Sequence, residues 1–440
     1  MHHQKPVIKS QATNLNKIGK RAFFQLLTLL AFTAPANAFD LKLTAPDGSA
    51  HDFFGHSVAL TNNTALIGAY KDDDNGYNSG SAYLFDTTTG SLLQKFTAPD
   101  GYREDYFGFS VAVSNNTALI GSHFDDDNGT NSGSAYLFDT TTGSLLHKFI
   151  APDGSIGDYF GYSVALSDNF ALISSHLDNN NNGTDSGSVY LFDTTTGSLL
   201  QKFTAPDGSR YDYFGRSVAV SGNIALIGSY ADDDNGTNSG SAYLFDITTG
   251  NFLHKLTAPD GAANDHFGFS VDVSDNTAVI GSYWDDDKGG NSGSAYLFDV
   301  TTGNLLHKLT APDGSVSDWF GYSVAVSDGT ALIGSYKDDN NNGTDSGSAY
   351  LFDTTTGSLL QKLTASDGSA HNSFGFSVAL SNNTTLIGAP GDDDNGSKSG
   401  SAYLFTTNTN TKSTPEPSSL LGIVGTVAIA ALSRKKWQKK

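Results

Sequence analysis

Carboxylates dominate the side chains of this sequence that could do chemistry, and they are gathered into short runs. Asp72-Asp73-Asp74, Asp125-Asp126-Asp127, Asp232-Asp233-Asp234, Asp285-Asp286-Asp287 and Asp392-Asp393-Asp394 are each followed, two residues on, by a glycine. Asp178 and Asp338-Asp339 open Asn-rich versions of the same run. Clustered carboxylate and amide oxygens beside a tight turn are the ligand types a hard cation takes, so the loops are candidate Ca²⁺ sites. The residues named for that role are Asp72, Asp73, Asp74, Asp125, Asp126, Asp127, Asp232, Asp233, Asp234, Asp392, Asp393 and Asp394. Three adjacent carboxylates repel one another, which itself calls for a counter-ion. Consecutive Asp do not, however, give the alternating spacing that turns every second side chain inward, and Lys288 interrupts one loop. The other reading is a set of solvated hairpin tips in which Asp, Asn and Gly satisfy backbone turns. A bound calcium would then serve mainly to stiffen the loops.

Other chemistries find little support. Of the 46 acidic residues only Glu104 and Glu416 are Glu, and no carboxylate pair stands apart for acid–base work. The absence of Cys removes thiol catalysis, disulfide scaffolds and Cys-ligated metals. There is no Gly-x-Ser-x-Gly elbow and no phosphate loop, and His51, His266 and His371 recur too irregularly for a metal triad. A formal charge of −21 argues against nucleic acid as a partner. One aromatic-rich position follows each Phe-Gly pair: His56, Phe109, Tyr162, Arg216, Phe269, Tyr322 and Phe376. A second reads Tyr70, His123, His176, Tyr230, Tyr283, Tyr336 and Pro390. Such rings either pack between repeats or stack on sugars. Asp272, in place of an Ala, is the oddest single residue, and a water-filled channel would accommodate it.

These residues are positioned by a repeat. Phe-Gly recurs with its glycine at 55, 108, 161, 215, 268, 321 and 375, at intervals of 53 or 54, and both longer intervals enlarge the acidic loop. Each unit reads as four short strands: Ser57–Leu60, Ala65–Gly68, Ser81–Phe85 and the more polar Leu92–Phe96. Nothing has helical period. Four-stranded units repeated radially predict an all-β fold, a seven-bladed propeller over residues 39–405. The seventh unit lacks its fourth strand, and a spare copy at Leu41–Asp47 is expected to complete it and leave no open edge. The unit, with Phe54-Gly55, Ser57-Val-Ala59, Ile67-Gly68-Ala69 and Gly80-Ser-Ala-Tyr-Leu-Phe85, resembles the FG-GAP repeat of integrin-α-like propellers. In that family the calcium loop joins the first and second strands of a blade. Here the acidic loop joins the second and third, so the resemblance carries over no ligand residue by residue.

The ends read as addresses. Residues 1–38 give a basic segment, an apolar run from Ala22 to Phe32 and a small-residue site at Ala36 and Ala38, the pattern of a signal peptide cleaved after Ala38. A polar linker (406–414) leads to Pro415-Glu416-Pro417, an apolar run from Leu420 to Leu432 and a basic tail over 434–440. Those three parts in that order resemble the PEP-CTERM sorting signal. That resemblance implies an exosortase-type processing enzyme as partner, with transient or retained membrane anchoring through the apolar run. It places the protein at the cell surface or in the extracellular matrix of a Gram-negative-type bacterium. Between these ends, residues 39–414 hold 15 basic and 45 acidic side chains, a net charge of about −30. The expected function is a non-enzymatic module that binds or organises extracellular polysaccharide. A protein–protein adhesion module with a surface-protein partner is the alternative, and a glycan hydrolase the third reading.

Overall fold

A computed structural model describes residues 40–167 and 169–406. The signal-peptide and sorting-signal segments read from the sequence, with Ala36, Ala38, Pro415, Glu416 and Pro417, lie outside those residues.

The sequence pattern is realised as seven four-stranded antiparallel sheets. After β1 (Asp40–Leu43), the first blade is β2 (Ser57–Leu60), β3 (Thr64–Ala69), β4 (Ser81–Asp86) and β5 (Leu92–Phe96), paired in that order. Ala65, Leu66 and Ile67 of β3 are fully buried because both faces of the strand meet neighbouring blades. In β5, Leu92 and Leu93 are exposed and only Phe96 is buried, as befits an outer edge. The same layout recurs in the next five blades.

The seventh blade is completed from the other end of the chain. Strands 377–381, 384–389 and 401–406 supply three members, and β1 pairs antiparallel with the last, Leu43 opposite Ala402 and Leu41 opposite Leu404. Leu43 and Ala45 are buried with Leu386, Ala402 and Leu404 against Ala65, Ile67 and Tyr83 of blade one. Every interface between neighbouring blades carries such an apolar cluster, so the core is a ring of seven inter-blade layers. The repeat Phe is the wedge in each: Phe54 is fully buried, edge-on to Tyr83 at 5.5 Å and to Phe85 at 6.0 Å.

Serine hydroxyls at the start of the inner strands tie blade to blade. Ser57 Oγ donates to Gly108 O (2.9 Å), Ser110 Oγ to Gly161 O (2.8 Å), and Ser377 Oγ closes the circle on Gly55 O (2.8 Å). Blade three departs from this. Where Gly121 lies so close to the next blade that a Cβ would stand 2.0 Å from Gly161 O, blade three has Ser174. Ser174 Oγ accepts from Ser163 N (2.9 Å), and Ser163 Oγ accepts from Val218 N (3.2 Å) instead of bonding the neighbouring Phe-Gly carbonyl. The interface before Arg216 is therefore built differently from the rest.

Candidate functional site

The β3–β4 acidic loop and the Phe-Gly turn of a blade both lie at the same end of its inner strands, so both sit on one face of the ring. In the loops, the three adjacent carboxylates have three separate occupations. The first is buried: Asp72 Oδ2 accepts from Tyr83 Oη (2.5 Å), and Asp72 Oδ1 accepts from Asp74 N (3.1 Å). The second caps the loop: Asp73 Oδ1 accepts from Asn78 N (2.7 Å), as Asp126 does from Asn131, Asp233 from Asn238 and Asp393 from Lys398. The third reaches a lysine of the outer strand. Lys95 Nζ stands 2.7 Å from Asp47, 3.3 Å from Asp72 and in contact with Asp74. Lys148 meets Asp125 and Asp127, Lys255 meets Asp232 and Asp234, and Lys42 meets Asp392 and Asp394 in the same way. Where the third residue is Asn180 or Asn340, Lys202 and Lys362 keep the other two partners.

The counter-ion that crowded carboxylates require is thus an ammonium carried by the chain. Sequence reasoning took the outer strand only as a polar edge and missed these lysines. The available signal was a Lys at the same place in all seven copies, Lys42, 95, 148, 202, 255, 308 and 362. Burial raises the Asp72 carboxyl above its usual range, with Tyr83 and Lys95 pulling the other way. Burial also acts on Asp47, but its bonds to Lys95 and Tyr83 outweigh it and hold that carboxyl low. Among the described residues no group of three or more His, Asp or Glu is arranged to hold a metal ion. A calcium ion at these loops would have to displace or sit beside the ammonium.

The aromatic positions assemble around the axis. His56, Phe109 and Tyr162 follow one another with ring centroids 4.6 and 5.0 Å apart. Arg216 bridges the next gap, its guanidinium 4.8 Å from Tyr162 and 4.0 Å from Phe269. Phe269, Tyr322, Phe376 and His56 complete the circle at 5.1 Å per step. These seven half-buried side chains rim a central depression of about 280 Å³. The second set packs outside them: Tyr70 against His56 (4.4 Å), His123 against Phe109 (4.1 Å) and Tyr336 against Tyr322 (4.6 Å). A third set, the residue before each Phe-Gly pair, was not singled out from sequence. It comprises Phe53, Tyr106, Tyr159, Tyr213, His266 and Trp319, all at φ between 56° and 58°. Bulky residues rarely adopt that left-handed conformation, and here it turns six rings onto one face.

Burial acts on three imidazoles of this face. Burial lowers His56 and His266 to about 4 and His123 to about 3. His123 Nδ1 and the indole nitrogens of Trp284 and Trp319 are buried with no hydrogen-bond partner, unusual for buried polar atoms. Asp272 lines the inner wall. Backbone N–H groups serve it: Val326 N donates to Oδ2 (2.7 Å) and Val273 N to Oδ1 (2.9 Å), while burial raises it to about 7. Where the blade-six loop meets blade seven, Asp345 and His371 pair at 3.2 Å near Ser373, but the serine hydroxyl donates to the His371 carbonyl, not to its imidazole. No Asp–His–Ser relay is formed there.

The repeat can now be compared with known proteins. The FG-GAP repeat family matches seven consecutive segments, residues 39–85, 91–138, 144–192, 198–245, 251–298, 304–352 and 358–405. The chain belongs to the FG-GAP repeat family. Each matched segment of this FG-GAP propeller runs from the outer strand of one blade to the third strand of the next, so the family unit is offset from the structural blade by one strand. No curated protein matches the sequence. Among solved structures, the crystal structure of the computationally designed Ika8 protein is similar at 17% identity and a TM-score of 0.48, covering 83% of this chain and 99% of that one.

Proposed function

We propose that this FG-GAP propeller is an exported, surface-sorted, non-catalytic module that holds extracellular polysaccharide on its aromatic face. One observation carries the reading: three concentric sets of aromatic side chains lie on a single face, the innermost closed into a ring by Arg216. Aromatic planes with polar tips match the alternation of apolar C–H faces and hydroxyls on a sugar. Near-identical blades repeat that surface around the axis, which suits an extended polymer better than a single small substrate. Export and surface delivery rest on the sequence resemblances at the two ends, as does the exosortase-type partner.

The test is co-sedimentation of the full chain with the producing organism's extracellular polysaccharide, with calcium and with chelator. Saturable binding is expected, weakened at least tenfold in Phe109→Ala/Tyr162→Ala. Loss of binding in chelator would bring calcium and the acidic loops into the site. Absence of binding in both conditions would overturn the reading in favour of protein adhesion.

A further inference from the structure

The aromatic face is interrupted at one blade. In blade seven the position before Phe-Gly is Ser373, where six other blades carry a ring. The position after the third strand's partner is Pro390 instead of Tyr or His, and the next is Gly391. The backbone is unchanged: Ser373 has φ 60°, beside 56–58° in the other blades. Only the side chains are missing. Their absence leaves a cleft of about 500 Å³ between blades six, seven and one, within the range of about 300–1,000 Å³ typical of small-molecule sites. Tyr70 and Phe53 of blade one, Tyr336 of blade six and Phe376 wall it, and Lys337 and Lys398 stand at its margin.

Those lysines differ from the seven in the acidic clusters. Lys337 Nζ lies 3.8 Å over Trp319, and Lys398 Nζ lies 5.9 Å from Phe53, the ring that Lys71 also approaches at 4.9 Å. Among the described residues none of the three forms an ion pair, whereas each outer-strand lysine holds two or three carboxylates. Lys71 and Lys398, which share the Phe53 ring, repel each other, and an anion beside Lys398 would relieve this. Among the described residues lining the cleft, the one carboxylate, Asp345, is already engaged by His371. On a body of such negative charge an acidic ligand is otherwise repelled, so unpaired cations beside an aromatic-walled space are the local feature that could admit one.

We infer that this cleft is the subsite for one carboxylate-bearing sugar residue, its ring face against the Tyr70 and Tyr336 walls and its carboxylate at the margin where Lys337 and Lys398 stand. The inference rests on the polysaccharide reading and names the sugar class that reading leaves open.

The experiment is calorimetric titration of the full chain with a tetra-galacturonate, its neutral methyl-esterified form and a poly-glutamate peptide. Two variants are compared with the parent. Ser373→Tyr restores the ring the other blades carry, at a backbone geometry they already use. Lys337→Met/Lys398→Met removes the cations and keeps their stems. Thermal melts confirm that each variant is folded. The expected result is galacturonate binding that Ser373→Tyr abolishes and the double variant weakens at least tenfold, with neither the ester nor the peptide binding comparably. Equal binding of acid and ester, or galacturonate binding indifferent to both variants, overturns the acidic subsite but leaves a glycan-binding face standing. Equal binding of poly-glutamate overturns the sugar and leaves an anion site. Failure of every saccharide, the organism's own polymer included, overturns both readings.

Discussion

Replacing Lys95 by Met tests whether the acidic loops are held by the chain's own cation. The substitution keeps the length of the stem and removes the ammonium. At an effective dielectric of about 20, a charge pair 3.3 Å apart is worth about 5 kcal/mol of Coulomb energy, much of it offset by desolvation. Measured losses on breaking a buried pair are about 3–5 kcal/mol, and at exposed pairs below about 1 kcal/mol. Asp72 is 7% exposed and Lys95 20%, while Asp47 is half exposed, so only the Asp72 contact approaches the buried case. A total of about 3 kcal/mol follows. For a propeller of roughly 370 residues unfolding as one unit, at about 2 cal/mol/K per residue, that is a fall in Tm of about 4 °C. The assay is differential scanning calorimetry at pH 7 and pH 4. Asp47 has a depressed carboxyl, so its contribution is present above about pH 4 and is lost as the pH falls below it. Asp72 is raised, and without the ammonium it rises further, so its penalty is relieved in acid. The loss should therefore shrink at pH 4. Millimolar calcium should recover part of the loss in the variant, whose three carboxylates then converge on an empty place. A variant melting within about 1 °C of the parent at pH 7, or falling equally at both pH values, would refute the lysine counter-ion.

Two further outcomes are expected. Asp105, in blade two, is raised to about 7, chiefly by burial, so the folded state disfavours its charge increasingly as pH rises from about 4 through 7. Asp105→Asn should raise Tm at pH 8 and leave it unchanged at pH 4, and Asn372 already occupies the matching place in blade seven; an equal shift at both pH values would show that titration is not the cause. Gly133, at φ +83°, would place a Cβ 2.0 Å from Phe160 O and 2.6 Å from Phe160 N, so Gly133→Ala should cost about 3 kcal/mol or more and lower Tm by at least about 4 °C. A parent-like thermal melt of that variant would mean the Phe-Gly turn can move aside.

Most of the fold is legible because each blade repeats the same alternation and the same turn residues. The predicted Leu92–Phe96 and Ser57–Leu60 strands match the observed bounds, and the spare N-terminal strand pairs as its sequence implies. The candidate site was legible only in part. Which carboxylate is buried and which is capped depends on how the loop over residues 70–80 folds over Tyr83, a contact between positions that no strand period relates. Lys95 reaches Asp47 from a strand 48 residues away, and only inter-blade packing brings them together. The blade-seven cleft escaped for the same reason. Pro390 is the non-aromatic member of its set, but what that means depends on Tyr336 and Tyr70, neighbours in space only once the ring is closed.

That closure has a consequence for how the molecule comes to exist. Six blades contain all four of their strands within about 40 consecutive residues, so each can form soon after it is made. The seventh joins residues 40–43 to 402–405, the largest sequence separation in the propeller. The entropy of closing so long a loop must be overcome before the contact yields anything, which makes this the slow, late step of folding. Until then the first strand made has no partner, and blades one and seven each present an uncovered apolar layer. A chain that stops short of residue 402 never hides them. The ring is in this sense a proofreader of its own synthesis, leaving each product cut before residue 402 marked by an uncovered apolar seam.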